Sequence, residues 1–186
     1  MSDLILEISE QSGIDLKSPN KYFDISSIGT LKVRASNETT NFFLKATKEY
    51  NFSRFSCEKE GLKLIAKTNT LRTPKVFACG KTKEFSYIIL EYLDMSEKTN
   101  ISAKKLGERL ANMHKNTSNL FGLTKDNWIG LTEQHNQQNK SWVNFYLEQR
   151  LLPQLELAYG NGYKQNIEKK ADHLMSNIEC FYNDYL

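Results

Sequence analysis

Lys45 lies at the centre of a run of β-formers, where it alternates with Phe43 and Thr47 on one side while Phe42, Leu44 and Ala46 take the other. The next periodic segment, 52–68, puts Phe55, Glu58, Leu62 and Ile65 on one helical face, so a carboxylate shares a stripe with apolar side chains. A glutamate there is costly to bury unless a cation meets it, and Lys45 is the candidate partner. Glu60, by contrast, faces Lys63 and Lys67. A strand lysine held by a helical glutamate fixes an ammonium for binding nucleotide phosphates. Spacing alone leaves an alternative open: an edge-strand lysine with its amine in water, and a glutamate at a helix boundary.

A second stretch, Ile88-Ile89-Leu90-Glu91-Tyr92-Leu93-Asp94, reads as a buried strand that turns polar abruptly and leads into a helix. Such an exit has the form of a hinge, although any core strand followed by a loop looks alike.

The elements that must position these residues follow from the change of hydrophobic period. Leu4, Ile5, Ile8 and Ile14 predict a short opening helix, and β-formers predict strands at 22–28, 30–35 and 41–47 with turns at Gly29 and Ser36-Asn37-Glu38. Connections this short cannot hold a parallel crossover, so the three strands form an antiparallel meander. Thr73-Pro74 closes the helix, and two further strands at 75–79 and 85–92 flank a Gly80-Lys81-Thr82-Lys83 turn. Beyond Asp94 the pattern is helical, with Ala103, Leu106, Leu110 and Met113 on one face. Residues 116–139 read mostly as loop. Ser141 is a good N-cap for a second helix with Trp142, Phe145, Leu152 and Leu155 inward, and Pro153 kinks or divides it. Ile167, Ala171, Leu174, Ile178, Phe181 and Tyr185 form an apolar seam on a third helix, and such a seam needs a partner.

Composition bounds the function. The 186 residues are 39% hydrophobic and 11% aromatic, enough for one core of ordinary size. Lys and Arg number 25 against 22 Asp and Glu, without a basic block, so nucleic acid is not an expected partner. No run approaches the roughly 20 apolar residues that span a bilayer, and the start, Met1-Ser2-Asp3-Leu4, lacks the basic residues of a secretory signal. A soluble cytoplasmic protein is expected. Cys57, Cys79 and Cys180 are odd in number and show no C-x-x-C spacing, which reads as reduced thiols. His114, His135 and His173 have no ligand company, and Asp94, Asp126 and Asp172 no paired spacing, so neither a metal site nor an acid–base pair is assigned.

The stretch from Phe121 to Asn139 carries Phe-Gly and then Ile-Gly-x-Thr-x-Gln-x-Asn, followed by Trp142 and Arg150-Leu151. Together with Phe42-Phe43-Leu44-Lys45, Glu58, Thr73-Pro74-Lys75-Val76, Leu90-Glu91-Tyr92-Leu93 and the Leu106 to His114 helix, it closely resembles the fructosamine kinase family, from about Tyr22 to Tyr163. The resemblance implies an α+β, protein-kinase-like fold: a five-stranded antiparallel small lobe with one helix at 1–93, then the helical first part of a large lobe at 94–186. It implies phosphorylation of a sugar hydroxyl of ketosamines, which are glycated amines or proteins, with ATP and Mg²⁺. Carried over by position, Lys45 would bind phosphate, Glu58 would pair with it, and Glu91, Tyr92 and Leu93 would form the adenine hinge.

Two departures qualify the expectation. Ser26-Ser27 stand where the family usually has a glycine pair, leaving Gly29 to supply the flexibility of the phosphate loop. The family's His-Gly-Asp catalytic loop and Asp-Pro-Ala metal site do not occur in these residues, and the loop would follow Leu186. The expectation is therefore a truncated chain with no catalytic residue and no metal ligand of its own. The alternative is a nonenzymatic, pseudokinase-like module that binds nucleotide or protein, its exposed seam covered by a partner chain or else lowering solubility. Phosphorylation of aminoglycosides or choline-like alcohols is a third reading on fold analogy, and the 121–150 signature argues against it.

Overall fold

The computed structural model describes residues 2–25, 31–37, 40–48 and 52–182. Ser26, Ser27 and Gly29 lie outside the described residues, as does Tyr185. The chain divides into two compact units, Met1–Asn116 and Thr117–Leu186. The helix at Asn100–His114 therefore groups with the first unit, where the sequence expectation began a second lobe at 94.

Helix α1 (Ser2–Ser12) opens the first unit, followed by β1 (Lys17–Ile25), β2 (Leu31–Ser36) and β3 (Asn41–Lys48). Helix α2 (Phe52–Lys67) comes next, then β4 (Val76–Lys81) and β5 (Phe85–Glu91). The strands form one sheet in the order β1-β2-β3-β5-β4, antiparallel throughout, so β3 and β5 lie next to each other at its interior. This is the five-stranded antiparallel sheet expected, with strand ends shifted by a few residues.

Both faces of the sheet are covered. Phe42, Leu44, Ala46, Tyr87 and Ile89 pack under α1 through Ile5 and Ile8, while Phe55 of α2 packs against Ile88 and Leu90 on the opposite face. Leu44, Ile88 and Ile89 are fully buried, which explains why β5 reads as an unbroken apolar run instead of an alternating one. The opening helix thus adds a layer to the sheet-plus-one-helix lobe. Ser9 ties its end down: the hydroxyl donates to the Ile14 carbonyl at 2.6 Å and accepts from Leu16 N–H at 3.0 Å. Glu7 accepts from the Lys83 N–H in the β4–β5 turn at 3.0 Å.

Beyond β5 the chain runs without regular structure to α3 (Asn100–His114), whose start is a capping box between Thr99 and Ser102. Its expected apolar face is largely uncovered among the described residues: Leu106 and Leu110 are exposed, Ala103 and Met113 half-buried.

The second unit corrects the expectation of a long loop. Strands β6 (Asn127–Ile129) and β7 (Thr132–Gln134) pair as a hairpin. Gly130 at φ 62° is the first of its two tip residues, a position that favours glycine in a two-residue connection. Helix α4 (Trp142–Tyr146) begins at Ser141, whose hydroxyl accepts from Asn144 N–H at 3.3 Å. A π-helical turn, Leu147–Leu151, then separates α4 from α5 (Leu152–Gly160). Pro153 falls in the first turn of α5, where its missing N–H is tolerated, so it divides the helix. Last come α6 (Lys164–Asn177) and a 3₁₀ turn, Ile178–Phe181. The seam is covered only in part: Ala171 and Ile178 are buried, whereas Leu174 and Phe181 are exposed, as is Leu152 on α5.

Candidate functional site

Strand alternation turns Phe43 and Lys45 to the α2 side of the sheet, and the helical period turns Glu58 back towards the same face. The two charged groups meet, with Lys45 Nζ 2.6 Å from Glu58 Oε1. Their side chains are 22% and 32% exposed, so the pair is neither stripped of water nor free in it. One end of the lysine is therefore anchored, and its ammonium keeps donors for a second anionic partner. Its partly sheltered position makes a charge contact stronger there than in bulk water.

Lys45 and Glu58 line a concavity of about 460 Å³ together with Phe43, Pro74 and Leu90 and the exit segment Glu91 to Met95. One cation, Lys45, with apolar side chains and the exit main chain forms a set that matches a nucleotide's phosphates and base. Glu91, Tyr92 and Leu93 all lie on this concavity; Gly29 is outside the described residues. The exit segment is tied to its neighbours. Glu91 N–H donates to the Lys75 carbonyl at 2.8 Å and Tyr92 N–H to the Asn41 carbonyl at 3.3 Å. The Glu91 carboxylate accepts from Arg72 at 2.6 Å and from Lys75 N–H at 3.2 Å. Sequence reading missed Arg72, because nothing in periodicity links a loop arginine to a strand end.

The second unit holds a polar cluster that sequence reading also missed. Asp126 Oδ2 lies 3.0 Å from His135 Nδ1, and Oδ1 accepts from Asn136 N–H at 2.7 Å. The hydrogen bonds from His135 and from Asn136 N–H hold the Asp126 carboxyl below its usual range, and the Asp126 bond raises the His135 imidazole above its own. Asn136 is 3% exposed, and its Nδ2 donates to the Lys125 carbonyl and Asn127 Oδ1, each at 3.0 Å. Arg150 completes the arrangement, donating to Asn136 Oδ1 at 2.6 Å and to the carbonyls of His135 and Gln149. Gln149 stands four residues before Pro153, which has no N–H to return to that carbonyl, and the guanidinium supplies a donor.

Gly122, at φ 100°, has the Phe145 ring 2.7 Å and the Asn136 carbonyl 2.9 Å from where a Cβ would stand. Phe121 pairs with Asn139 through two main-chain bonds, and its ring meets Trp142 at 5.3 Å. The motif from Phe121 to Arg150 is thus one hydrogen-bonded and aromatic framework. His135 has a carboxylate partner after all, across the hairpin and outside local spacing.

Among the described residues no group of three or more His, Cys, Asp or Glu is arranged to hold a metal, and no helix is long and apolar enough to cross a membrane. Cys57, Cys79 and Cys180 form no disulfide with one another. Burial pushes the Cys79 thiol up, which keeps it protonated and a poor nucleophile.

Residues 9–185 match the family described as Fructosamine kinase. The Probable ketoamine kinase YniA of Escherichia coli is 31% identical over 140 residues, covering 74% of this chain and 49% of that protein. The chloroplastic protein-ribulosamine 3-kinase of Arabidopsis thaliana is 35% identical over 147 residues, covering 77% of this chain and 45% of that protein. The crystal structure of a Haemophilus somnus protein described as a fructosamine-3-kinase superposes with a TM-score of 0.74 at 27% identity, covering 86% of this chain and 54% of that one. The chain spans about half the length of the curated relatives it matches. Shared fold, signature framework and a match along nearly the whole chain lead to one conclusion: this protein belongs to the fructosamine kinase family.

Proposed function

We propose that the concavity between Lys45 and the Glu91 to Met95 exit is the ATP site of a kinase that phosphorylates a sugar hydroxyl of ketosamines. The observation that carries the reading is the 2.6 Å Lys45–Glu58 pair lining that concavity. ATP supplies the transferable phosphoryl group. Lys45 neutralises phosphate charge, Glu58 holds the ammonium in place, and Phe43 and Leu90 offer apolar surface to a base. The main chain from Glu91 to Leu93 gives the base its hydrogen bonds. Gly29 and Ser26-Ser27 belong to the same reading as the phosphate loop.

The residues described build no Mg²⁺ site, and the 186 residues contain neither His-Gly-Asp nor Asp-Pro-Ala. The share of the reaction assigned to these residues is nucleotide binding, and the catalytic base and metal ligands are assigned to none of them. A second reading, nucleotide binding without transfer, takes from these residues only the Lys45–Glu58 pair and the concavity it lines. In either reading the chain acts in the cytoplasm.

Calorimetric titration with ATP and Mg²⁺ tests the site: saturable binding is expected, weakened at least tenfold in Lys45→Ala. No saturable binding, or no effect of Lys45→Ala, overturns it. Phosphate incorporation into a glycated lysine derivative then separates the kinase from the binding module.

A further inference from the structure

Met95 stands apart from the other methionines. It lies in the stretch without regular structure between β5 and α3, lines the concavity of Lys45 and Glu58, and is 82% exposed. Met113 on α3 and Met175 on α6 are half-buried and do not line it. Cys57, Cys79 and Cys180 do not line it either, so among the described residues Met95 carries the one sulfur on this concavity. A thioether open to solvent is the form of methionine that peroxides oxidise, because its lone pairs are accessible and carry no proton that would block them.

The same side chain bears on a bound base. Phe43, Leu90 and Leu93 give the concavity apolar surface, and Met95 adds a flexible, polarisable group that makes favourable contacts with aromatic rings. A ring that covers the thioether takes it out of water, which adds to affinity. Sulfoxide formation replaces it with a strong hydrogen-bond acceptor. The apolar contact is then lost, and covering the S–O dipole costs desolvation.

We propose, on the basis of the nucleotide reading above, that Met95 is a modification site: a peroxide converts its thioether to the sulfoxide and so lowers the affinity of the concavity for nucleotide. In that step a sulfur lone pair attacks one peroxide oxygen, the S–O bond forming as the O–O bond breaks. The sulfur gives up two electrons, and the second oxygen leaves with both peroxide protons as water. Reduction of the sulfoxide restores the thioether.

The test exposes the 186-residue chain to hydrogen peroxide, then to dithiothreitol to return sulfenic acids and disulfides to thiols, before calorimetric titration with ATP and Mg²⁺. Peptide mass spectrometry should find the sulfoxide at Met95 before Met113 and Met175, and bound ATP should slow its formation at Met95 alone. ATP affinity falls by about fivefold and recovers after treatment with a methionine sulfoxide reductase. Met95→Gln, with a polar group in place of the thioether, reproduces the loss without peroxide. In Met95→Leu, treated and untreated protein bind ATP alike. Equal affinity of the oxidised and untreated wild type overturns the proposal, as does oxidation of Met95 no faster than of Met113 and Met175. A loss in Met95→Leu as large as the wild type's also overturns it and places the effect on another residue. An untreated wild type with no saturable ATP binding overturns the nucleotide reading, and the proposal with it.

Discussion

Arg150 donates to Oδ1 of Asn136 at 2.6 Å, joining the π-helical turn to the residue two places beyond β7 that ties the hairpin together. Asn136 is buried, and both ends of its amide are used. Truncating it to alanine removes the side-chain acceptor of the Arg150 guanidinium, which keeps only the His135 and Gln149 carbonyls, and the side-chain donor to the Lys125 carbonyl. Asn136→Ala is expected to cost about 3 kcal/mol, read as a lower midpoint in urea unfolding followed by Trp fluorescence.

Asp126 and His135 make the second unit's stability depend on pH in a defined window. The His135 pKa is raised in the folded state, so its contribution is complete below about 6.5 and is lost as pH rises through the folded value. Asp126 is lowered, so its contribution is present above about 4 and is lost as pH falls through the folded value. Thermal unfolding should therefore peak between about pH 4 and 6.5. Asp126→Asn should flatten that peak; a wild-type profile that matches the variant's would exclude the coupling.

Gly122 and Gly107 should respond to alanine in opposite directions. At Gly122 the backbone is left-handed and a Cβ would meet the Phe145 ring, so Gly122→Ala should destabilise by about 2 kcal/mol or more. At Gly107, exposed inside α3, nothing lies within 4 Å of the added Cβ. Gly107→Ala should stabilise by up to about 1 kcal/mol. Melting temperatures of the two variants, measured side by side, check both signs.

Glu58→Gln should separate stability from binding. The Lys45–Glu58 pair is partly exposed, so unfolding free energy should move by no more than about 1 kcal/mol. ATP affinity should fall by about tenfold as the lysine loses its anchor. Equal ATP affinity in wild type and variant would show that the glutamate does not position the ammonium.

The sequence by itself determined the elements whose signals are local. Alternation around Lys45 and the helical stripe of Glu58 foretold which faces meet, and the short connections dictated antiparallel pairing. Ser141 announced its helix because an N-cap is a one-residue signal, and Pro153 announced a division because the missing N–H is too. Tertiary structure decided what depends on residues far apart in the chain. Arg72 reaches Glu91, Asp126 reaches His135 and Arg150 reaches Asn136 across turns whose side-chain directions no periodicity encodes. The hairpin at β6 and β7 escaped notice for a related reason: strands of three residues are too short to show a period, and their pairing is held by the buried Asn136 amide. Coverage was also beyond sequence. Leu106, Leu174 and Phe181 have the spacing of core positions, yet burial depends on what packs opposite, and spacing carries no information about that.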